Sequence, residues 1–319
     1  MTRGFSRLRV PVAIAVAAAA LCGALLRAAE VQTIRLAVRP QAETKGVLAA
    51  SDFHVRVNGA EAPVLNEKTP RDGQMILVVL DLAEDITNAQ AAKDALVEEL
   101  GKLPASVLVA LIRAQDGPVV LVDPTADRAA IASAIQASPV TGKAGLLDSL
   151  SSVEALASSI SKASHARVAT LYITDSSAGN YREDFANPVI NSSDSHDLSR
   201  RFPEALIGEK IDQMEQEIAA REVPLFIVHL RYSTSTLNAA YQSGLKRLAE
   251  ETAGWSVFCA STAEIPDAIR QSFSAISSQY LLTVGLPVPT PSAVRIQVET
   301  RSKDESYGDV VYRPRLLLR

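Results

Sequence analysis

The stretch "MILVVLDLAEDITN", residues 75–88, decides the fold because it joins a buried strand to a helix through an acidic turn. Its run of apolar β-formers ends at Asp81, and a second acid, Asp85, follows four residues later. The next residues, "AQAAKDALVEELGKL", predict a helix over 88–101. An acidic residue at the carboxyl end of a buried strand lies where α/β proteins bind ligands.

Outward from this stretch, the sequence alternates between strand-forming and helix-forming runs. Further strands are predicted at "SVLVALIRA", "ARVATLYITD", "PLFIVHLRY" and "WSVFCAS", with helical patterns between them. The run "PVVLVDP" follows an Asp116-Gly117 turn and is predicted to pair antiparallel. Strands separated by helices imply a mainly parallel sheet that is covered on both faces. We therefore predict an α/β, doubly wound domain over residues 71–278.

The two ends of the chain read as β-structure that does not fit this sheet. The segment 30–70 contains "DFHVRVNGAEAPV", in which Asn58-Gly59 is a strong hairpin signal. The segment 279–319 contains "YLLTVGLP" and "SAVRIQVET". Unpaired edge strands are unstable, so we predict that the two segments pair with each other into a small β-sandwich.

The first 29 residues have the pattern of a secretory signal. Three arginines precede an apolar run that is short for a membrane span. We predict cleavage and a secreted or periplasmic protein without a membrane span, with an uncleaved anchor as the alternative. Residues 1–29 contain four arginines and no acids, so the net charge of −4 becomes −4 − 4 = −8. An acidic surface disfavours nucleic acid as a partner.

Two predicted parallel strands end in aspartates, Asp81 and Asp175. If these strands are neighbours at the switch point of the sheet, both carboxylates reach one crevice and could form a site. Each aspartate also has a structural interpretation, because this residue often forms turns or caps helices.

Several stretches of the chain resemble the bacterial von Willebrand factor A-related proteins first recognised in acidobacteria. "SDFHVRVNGAEAPV" resembles their leader of the type DFxVxxDGxxQ, and "MILVVLDLAED" lies where they have a strand ending in Asp-x-Ser-x-Ser. "KAGLLDSL" lies where they have Gly-Thr-Ala-Leu-Tyr-Asp-Ala, and "LYITDSSAGN" resembles LxxxTDGxDN. The resemblance continues through "SQYLLTV" and implies a von Willebrand A-type fold.

The resemblance also implies a metal-ion-dependent adhesion site, which this chain matches only in part. Asp81 and Asp175 match the two aspartates of that site, while Ala83 and Ala144 stand where a serine and a threonine would bind the ion. Asp85 replaces the second serine. Three carboxylates could hold Mg²⁺ or Ca²⁺ as a cofactor. The preferred interpretation is a retained scaffold whose metal site is degenerate and holds no cofactor.

We predict that the protein is not an enzyme but a binding, adhesion or assembly module. Its protein partner would bind at the carboxyl-end face of the sheet, beneath a long polar loop over 176–203. The alternative is a metal-dependent adhesion protein that uses Asp81, Asp85 and Asp175. A phosphotransferase-like enzyme is a weaker alternative, since the acid expected two residues after Asp81 is Ala83.

Overall fold

The computed structural model describes residues 32–41, 46–164, 166–181, 203–300 and 309–318. The predicted signal at 1–29 and most of the predicted loop at 176–203 lie outside the described residues. Within the described residues, no helix is long and apolar enough to cross a membrane.

The described chain forms fourteen strands and six α-helices. The strands are β1 (Thr33–Pro40), β2 (Phe53–Val57), β3 (Ala60–Ala62), β4 (Val64–Lys68), β5 (Gln74–Asp81), β6 (Val107–Arg113), β7 (Val119–Thr125), β8 (Arg167–Thr174), β9 (Leu225–His229), β10 (Trp255–Phe258), β11 (Tyr280–Gly285), β12 (Ala293–Thr300), β13 (Val310–Tyr312) and β14 (Arg315–Leu317). The helices are α1 (Ile86–Lys102), α2 (Arg128–Ala137), α3 (Leu146–Ser164), α4 (Pro203–Ile218), α5 (Thr236–Glu251) and α6 (Ile265–Ser277).

The central sheet has six strands in the order β10-β9-β8-β5-β6-β7. All neighbours pair parallel except β7, which pairs antiparallel with β6 as predicted. The chain moves from β5 to one side of the sheet and then crosses to β8 on the other side. The switch point therefore lies between β5 and β8, and the doubly wound fold class is confirmed.

Alternate residues of β5 face two separate apolar layers. Leu77 packs in a layer that includes α3, α4 and α5, whereas Val78 packs in a layer that includes α1, α2 and α6. Both residues are fully buried. A strand that is covered on both faces is apolar along most of its length, which explains the hydrophobic run between Gln74 and Asp81.

The chain ends form two further antiparallel sheets, β13-β1-β11-β4 and β14-β12-β2-β3. Each combines strands from both ends of the chain, through the pairs β1–β11 and β2–β12. Their inner faces share one apolar core, in which the rings of Phe53 and Tyr280 lie edge to face at 5.4 Å. The chain ends thus form the second layered unit, while the exact boundaries at 30–70, 71–278 and 279–319 stay predictions.

Candidate functional site

The carboxyl ends of β5, β8 and β9 meet at one edge of the central sheet. We call this edge the rim and define it as residues 81–88, 174–178 and 229–233. The structure brings Asp81 and Asp175 together there, because the Asp175 backbone N–H donates to the Asp81 carbonyl at 3.2 Å.

The Asp81 carboxylate is fully buried and accepts hydrogen bonds from within the protein. The backbone N–H groups of Gly145 and Leu146 donate at 2.8 and 3.2 Å, and the Thr174 hydroxyl donates at 2.9 Å. Burial raises the pKa of Asp81 to about 6, against the opposing effect of these hydrogen bonds. Because α3 begins at Leu146, the carboxylate also lies at the positive end of that helix.

Gly145 makes this contact possible and was missed by the sequence interpretation, which compared only Ala144 with a metal ligand. A β-carbon at position 145 would lie 1.9 Å from the carbonyl oxygen of Ala114. Only glycine lets the two backbones approach so closely, and this approach presents the N–H to Asp81. Ala144 itself is a buried member of the apolar layer around α3.

The Asp175 carboxylate is held by the loop that follows β5. One oxygen accepts from the N–H of Ala83 at 2.7 Å, and the other from Glu84 and Asp85 at 2.9 and 2.8 Å. Three successive amides thus surround one anion, as in the backbone concavities that bind phosphates and carboxylates. The loop in which the resemblance places hydroxyl ligands is therefore folded around an aspartate of the protein itself.

The Asp85 side chain caps helix α1. Its carboxylate accepts from the Asn88 backbone N–H at 3.0 Å and from the Asn88 side-chain amide at 3.1 Å. The sequence predicts that the helix begins at residue 88, but the structure begins it at Ile86. The Asp85 cap explains this earlier start. The Asn88 side-chain amide also donates to the Leu230 carbonyl at 3.3 Å, which ties the first turn of α1 to the loop after β9.

These contacts bear on the predicted metal ligands, Asp81, Asp85 and Asp175. Each carboxylate already accepts at least two hydrogen bonds from the protein. Mg²⁺ requires near-octahedral oxygen ligation and Ca²⁺ six to eight oxygens. Within the described residues, no group of three or more His, Cys, Asp or Glu side chains is arranged to hold a metal ion. This hydrogen-bonded arrangement does not fit such a cation. That Asp81, Asp85 and Asp175 bind a metal stays a prediction.

A buried polar network lies beside the aspartates, around His229. Its Nε2 is 2.7 Å from the Ser176 carbonyl, and its Nδ1 accepts from the Arg231 backbone N–H at 3.2 Å. These partners assign the proton to Nε2, and burial lowers the pKa of the ring, so it is neutral at pH 7. The sequence interpretation found no ligand spacing for His229. Its contact with Ser176 joins the ends of β9 and β8, which are far apart in the sequence.

Two large apolar side chains project from the rim. Ile86 is 72% exposed and Tyr232 is 54% exposed. Polar contacts accompany them: the Ser177 hydroxyl donates to Glu84 at 3.0 Å, and the Glu84 carboxylate lies 3.8 Å from the Arg231 guanidinium. Three loops are thus cross-linked beneath two exposed hydrophobic residues.

No protein-family model matches the chain, and no curated protein sequence matches it. Several solved structures do. A von Willebrand factor type A protein from Catenulispora acidiphila matches at 11% identity, over 90% of this chain and 73% of that chain, with a TM-score of 0.44. The von Willebrand domain of the type V pilus tip protein Mfa5 from Porphyromonas gingivalis matches at 14% identity, over 64% and 95%, with a TM-score of 0.42.

The von Willebrand A domain of SpRpn10 matches at 16% identity, over 63% of this chain and 95% of that chain, with a TM-score of 0.40. All three are described as von Willebrand A proteins or domains. The doubly wound, mainly parallel sheet described above is the fold class that the sequence resemblance implies.

Proposed function

We propose that this chain is a non-enzymatic protein-interaction module of the cell envelope or the secreted space, and that it binds a partner at the rim without a metal ion. The observation that carries the proposal is the combination of occupied carboxylates and exposed apolar residues at one edge of the sheet. The expected location comes from the signal pattern at residues 1–29.

The occupied carboxylates support the absence of a metal. The amides of Ala83, Glu84 and Asp85 take three of the roughly four acceptor positions of Asp175, so a cation that needed more than one of these positions would displace an amide. Buried or partly buried amides that lose their acceptors cost about 1–3 kcal/mol each. The methyl side chain of Ala83 offers no oxygen to a cation in exchange. The hydrogen-bonded arrangement is therefore favoured over a cation-bound one.

The exposed residues support a protein partner. Isolated exposed hydrophobic residues are ordinary, but Ile86 begins α1 and Tyr232 lies in the loop after β9. Asn88 and Glu84 connect these two segments. Aromatic and aliphatic anchors surrounded by polar groups are typical of the parts of an interface that contribute most to binding.

The position of Asp81 supports a non-enzymatic role. A catalytic carboxylate must reach its substrate, whereas Asp81 is fully buried and accepts three internal hydrogen bonds. Ala83 offers no proton donor in its side chain. The phosphotransferase-like alternative therefore lacks both access and an acid–base partner.

The first test addresses the metal. We expect that millimolar Mg²⁺, Ca²⁺ or Mn²⁺ leaves the Tm of the full chain unchanged, since mass action raises Tm only if the folded state binds the ion. A rise in Tm with one ion, abolished in Asp81→Ala, would instead support the metal-dependent adhesion protein.

The second test addresses the partner. A photo-crosslinking amino acid at position 86 or 232 should capture the same partner in the source cells, and Glu84→Ala beside it should weaken the capture. The matched control is the same amino acid at position 65, because Leu65 is 52% exposed and lies on β4 of the sandwich. Equal capture from position 65 would contradict the rim as the binding face.

A further inference from the structure

A cleft of about 990 Å³ lies between helices α4 and α5 and the β14-β12 edge of the sandwich. Both helices end here, and each is followed by a strand of the central sheet. The cleft therefore lies at the amino ends of the strands, at the opposite end of the α/β unit from the rim. It forms a surface separate from the proposed interaction site.

One wall of this cleft carries two arginines on neighbouring strands. Arg295 of β12 and Arg315 of β14 are directly opposite each other in the antiparallel register, and both are exposed. Within the described residues, neither guanidinium forms an ion pair. Like charges directly opposite on a sheet are destabilising. The fold therefore retains a pair that costs stability.

The backbone beneath both arginines is fixed. The Asn58 side-chain oxygen accepts from the Arg295 N–H at 2.9 Å, and the Asn58 N–H donates to the Arg295 carbonyl at 2.8 Å. The Arg315 carbonyl accepts from Nε of Arg313 at 2.6 Å. Arg313 is buried and also donates to the Ile218 carbonyl at the end of α4 at 3.2 Å. The two walls of the cleft are thus joined rigidly, which holds the arginine pair in place.

The acids of the opposite wall are already engaged. Asp212 and Glu215 both lie within 2.9 Å of the Arg247 guanidinium. Burial lowers the pKa of Arg313 to about 10, and the nearby charge of Glu251 opposes this shift. Arg295 and Arg315 remain as the positive charges of the cleft that no described carboxylate neutralises.

We propose that this cleft binds an extended acidic peptide segment of a partner protein, with its carboxylates on Arg295 and Arg315. Arginine binds carboxylates through two parallel hydrogen bonds, and Gln216 and Gln297 in the lining can pair with a peptide backbone. The concave shape of the cleft favours a peptide over a flat bilayer.

The test measures fluorescence anisotropy of a labelled peptide of alternating Glu and Gly with the full chain. We expect binding that weakens with salt, no binding of the matched peptide with Gln in place of Glu, and a loss of about tenfold or more in Arg295→Gln/Arg315→Gln. Arg56→Gln is the matched control, because Arg56 lies on the same outer sheet face but pairs with Glu299 at 3.8 Å.

The proposal is overturned if the Glu peptide does not bind, if the double variant binds it equally, or if Arg56→Gln weakens it as much. Binding to phosphatidylglycerol vesicles without binding to the peptide would also overturn it, in favour of a lipid ligand. The Tm of Arg315→Gln provides an independent readout. Relief of repulsion should leave it equal or higher, whereas a structural role of Arg315 would lower it.

Discussion

Charged side chains have opposite environments at the rim and in the cleft between α4, α5 and the β14-β12 edge. At the rim, Asp81 and Asp175 are buried, and each accepts three hydrogen bonds from the protein itself. In the cleft, Arg295 and Arg315 are exposed and oppose each other without a described carboxylate partner. Charges whose hydrogen bonds the fold supplies are held in place by the protein, whereas charges left without a described partner remain available to a ligand. At the position where a metal site was expected, both aspartates accept hydrogen bonds from the protein.

The buried carboxyl groups of Asp81 and Glu154 also differ in their hydrogen bonds. Asp81 has three donors, while neither oxygen of Glu154 on α3 has a hydrogen-bond partner. The Thr170 hydroxyl lies near Glu154 but outside hydrogen-bond geometry. Burial raises the pKa of Glu154 to about 7. Donors make a buried carboxylate tolerable at the rim, and their absence leaves Glu154 as a protonatable group in the apolar layer.

The largest expected effect would break the donors of Asp81. Gly145→Ala places a β-carbon 1.9 Å from the Ala114 carbonyl oxygen, so the start of α3 must shift away from Asp81. We expect a loss of about 3 kcal/mol or more in the free energy of unfolding, measured by urea denaturation. Gly101→Ala in α1 is the matched control, since nothing lies within 4 Å of its β-carbon. An equally small effect at both positions would contradict the role of Gly145.

The second effect concerns Glu154 and pH. Its folded-state pKa of about 7 lies above its ordinary value of 4.5, so between these values the folded state keeps a proton that the unfolded state releases. Its contribution to stability is therefore complete below pH 4.5 and is lost as the pH rises to 7, by about 3 kcal/mol.

Glu154→Gln should remove this pH dependence. The free energy of unfolding of the variant relative to the wild-type protein should rise from about pH 4.5 to about pH 8, when both are followed by urea denaturation. Asp81 contributes its own loss over a lower range in both proteins, because its pKa of about 6 is also raised. A constant difference between the two proteins across this range would show that Glu154 titrates normally.

The third effect tests the other rim carboxylate. Asp175→Asn replaces an acceptor oxygen with an N–H₂ group that faces the amides of the loop after β5. We expect a loss of about 2 kcal/mol in the free energy of unfolding. Asp148→Asn is the control, because its carboxylate is half exposed and lies 3.7 Å from Lys210. Equal losses would mean that the three amides do not stabilise the fold through Asp175.

The smallest effect on stability is expected at the exposed anchors. Ile86→Ser and Tyr232→Ser should change the free energy of unfolding by no more than about 0.5 kcal/mol, because both side chains are largely exposed. They should nevertheless reduce partner crosslinking at the rim. Substantial unfolding of either variant would show that these residues pack within the protein and do not project toward a partner.

The sequence predicted the central sheet and the positions of Asp81 and Asp175 at its strand ends, because both depend on local pattern. The apolar run before Asp81 and the run before Asp175 identified two buried strands, and alternation with helices implied that they are parallel. For Asp85, the sequence suggested only a possible metal ligand in place of a serine. Its contact with Asn88, only three residues away, resolves the geometry as a cap.

By itself, the sequence placed Asp81 and Asp175 at the ends of two strands and β-structure at both ends of the chain. It also showed that Ala83 and Ala144 lack the hydroxyl groups that the family resemblance implies. Only the tertiary structure decided what each charge meets. The N–H of Gly145 reaches Asp81 across 64 residues, and the amides after β5 reach Asp175 across about 90. Register alone places Arg295 opposite Arg315. Burial and hydrogen bonding between distant segments set the state of a charge, and no local pattern encodes which distant segment will arrive.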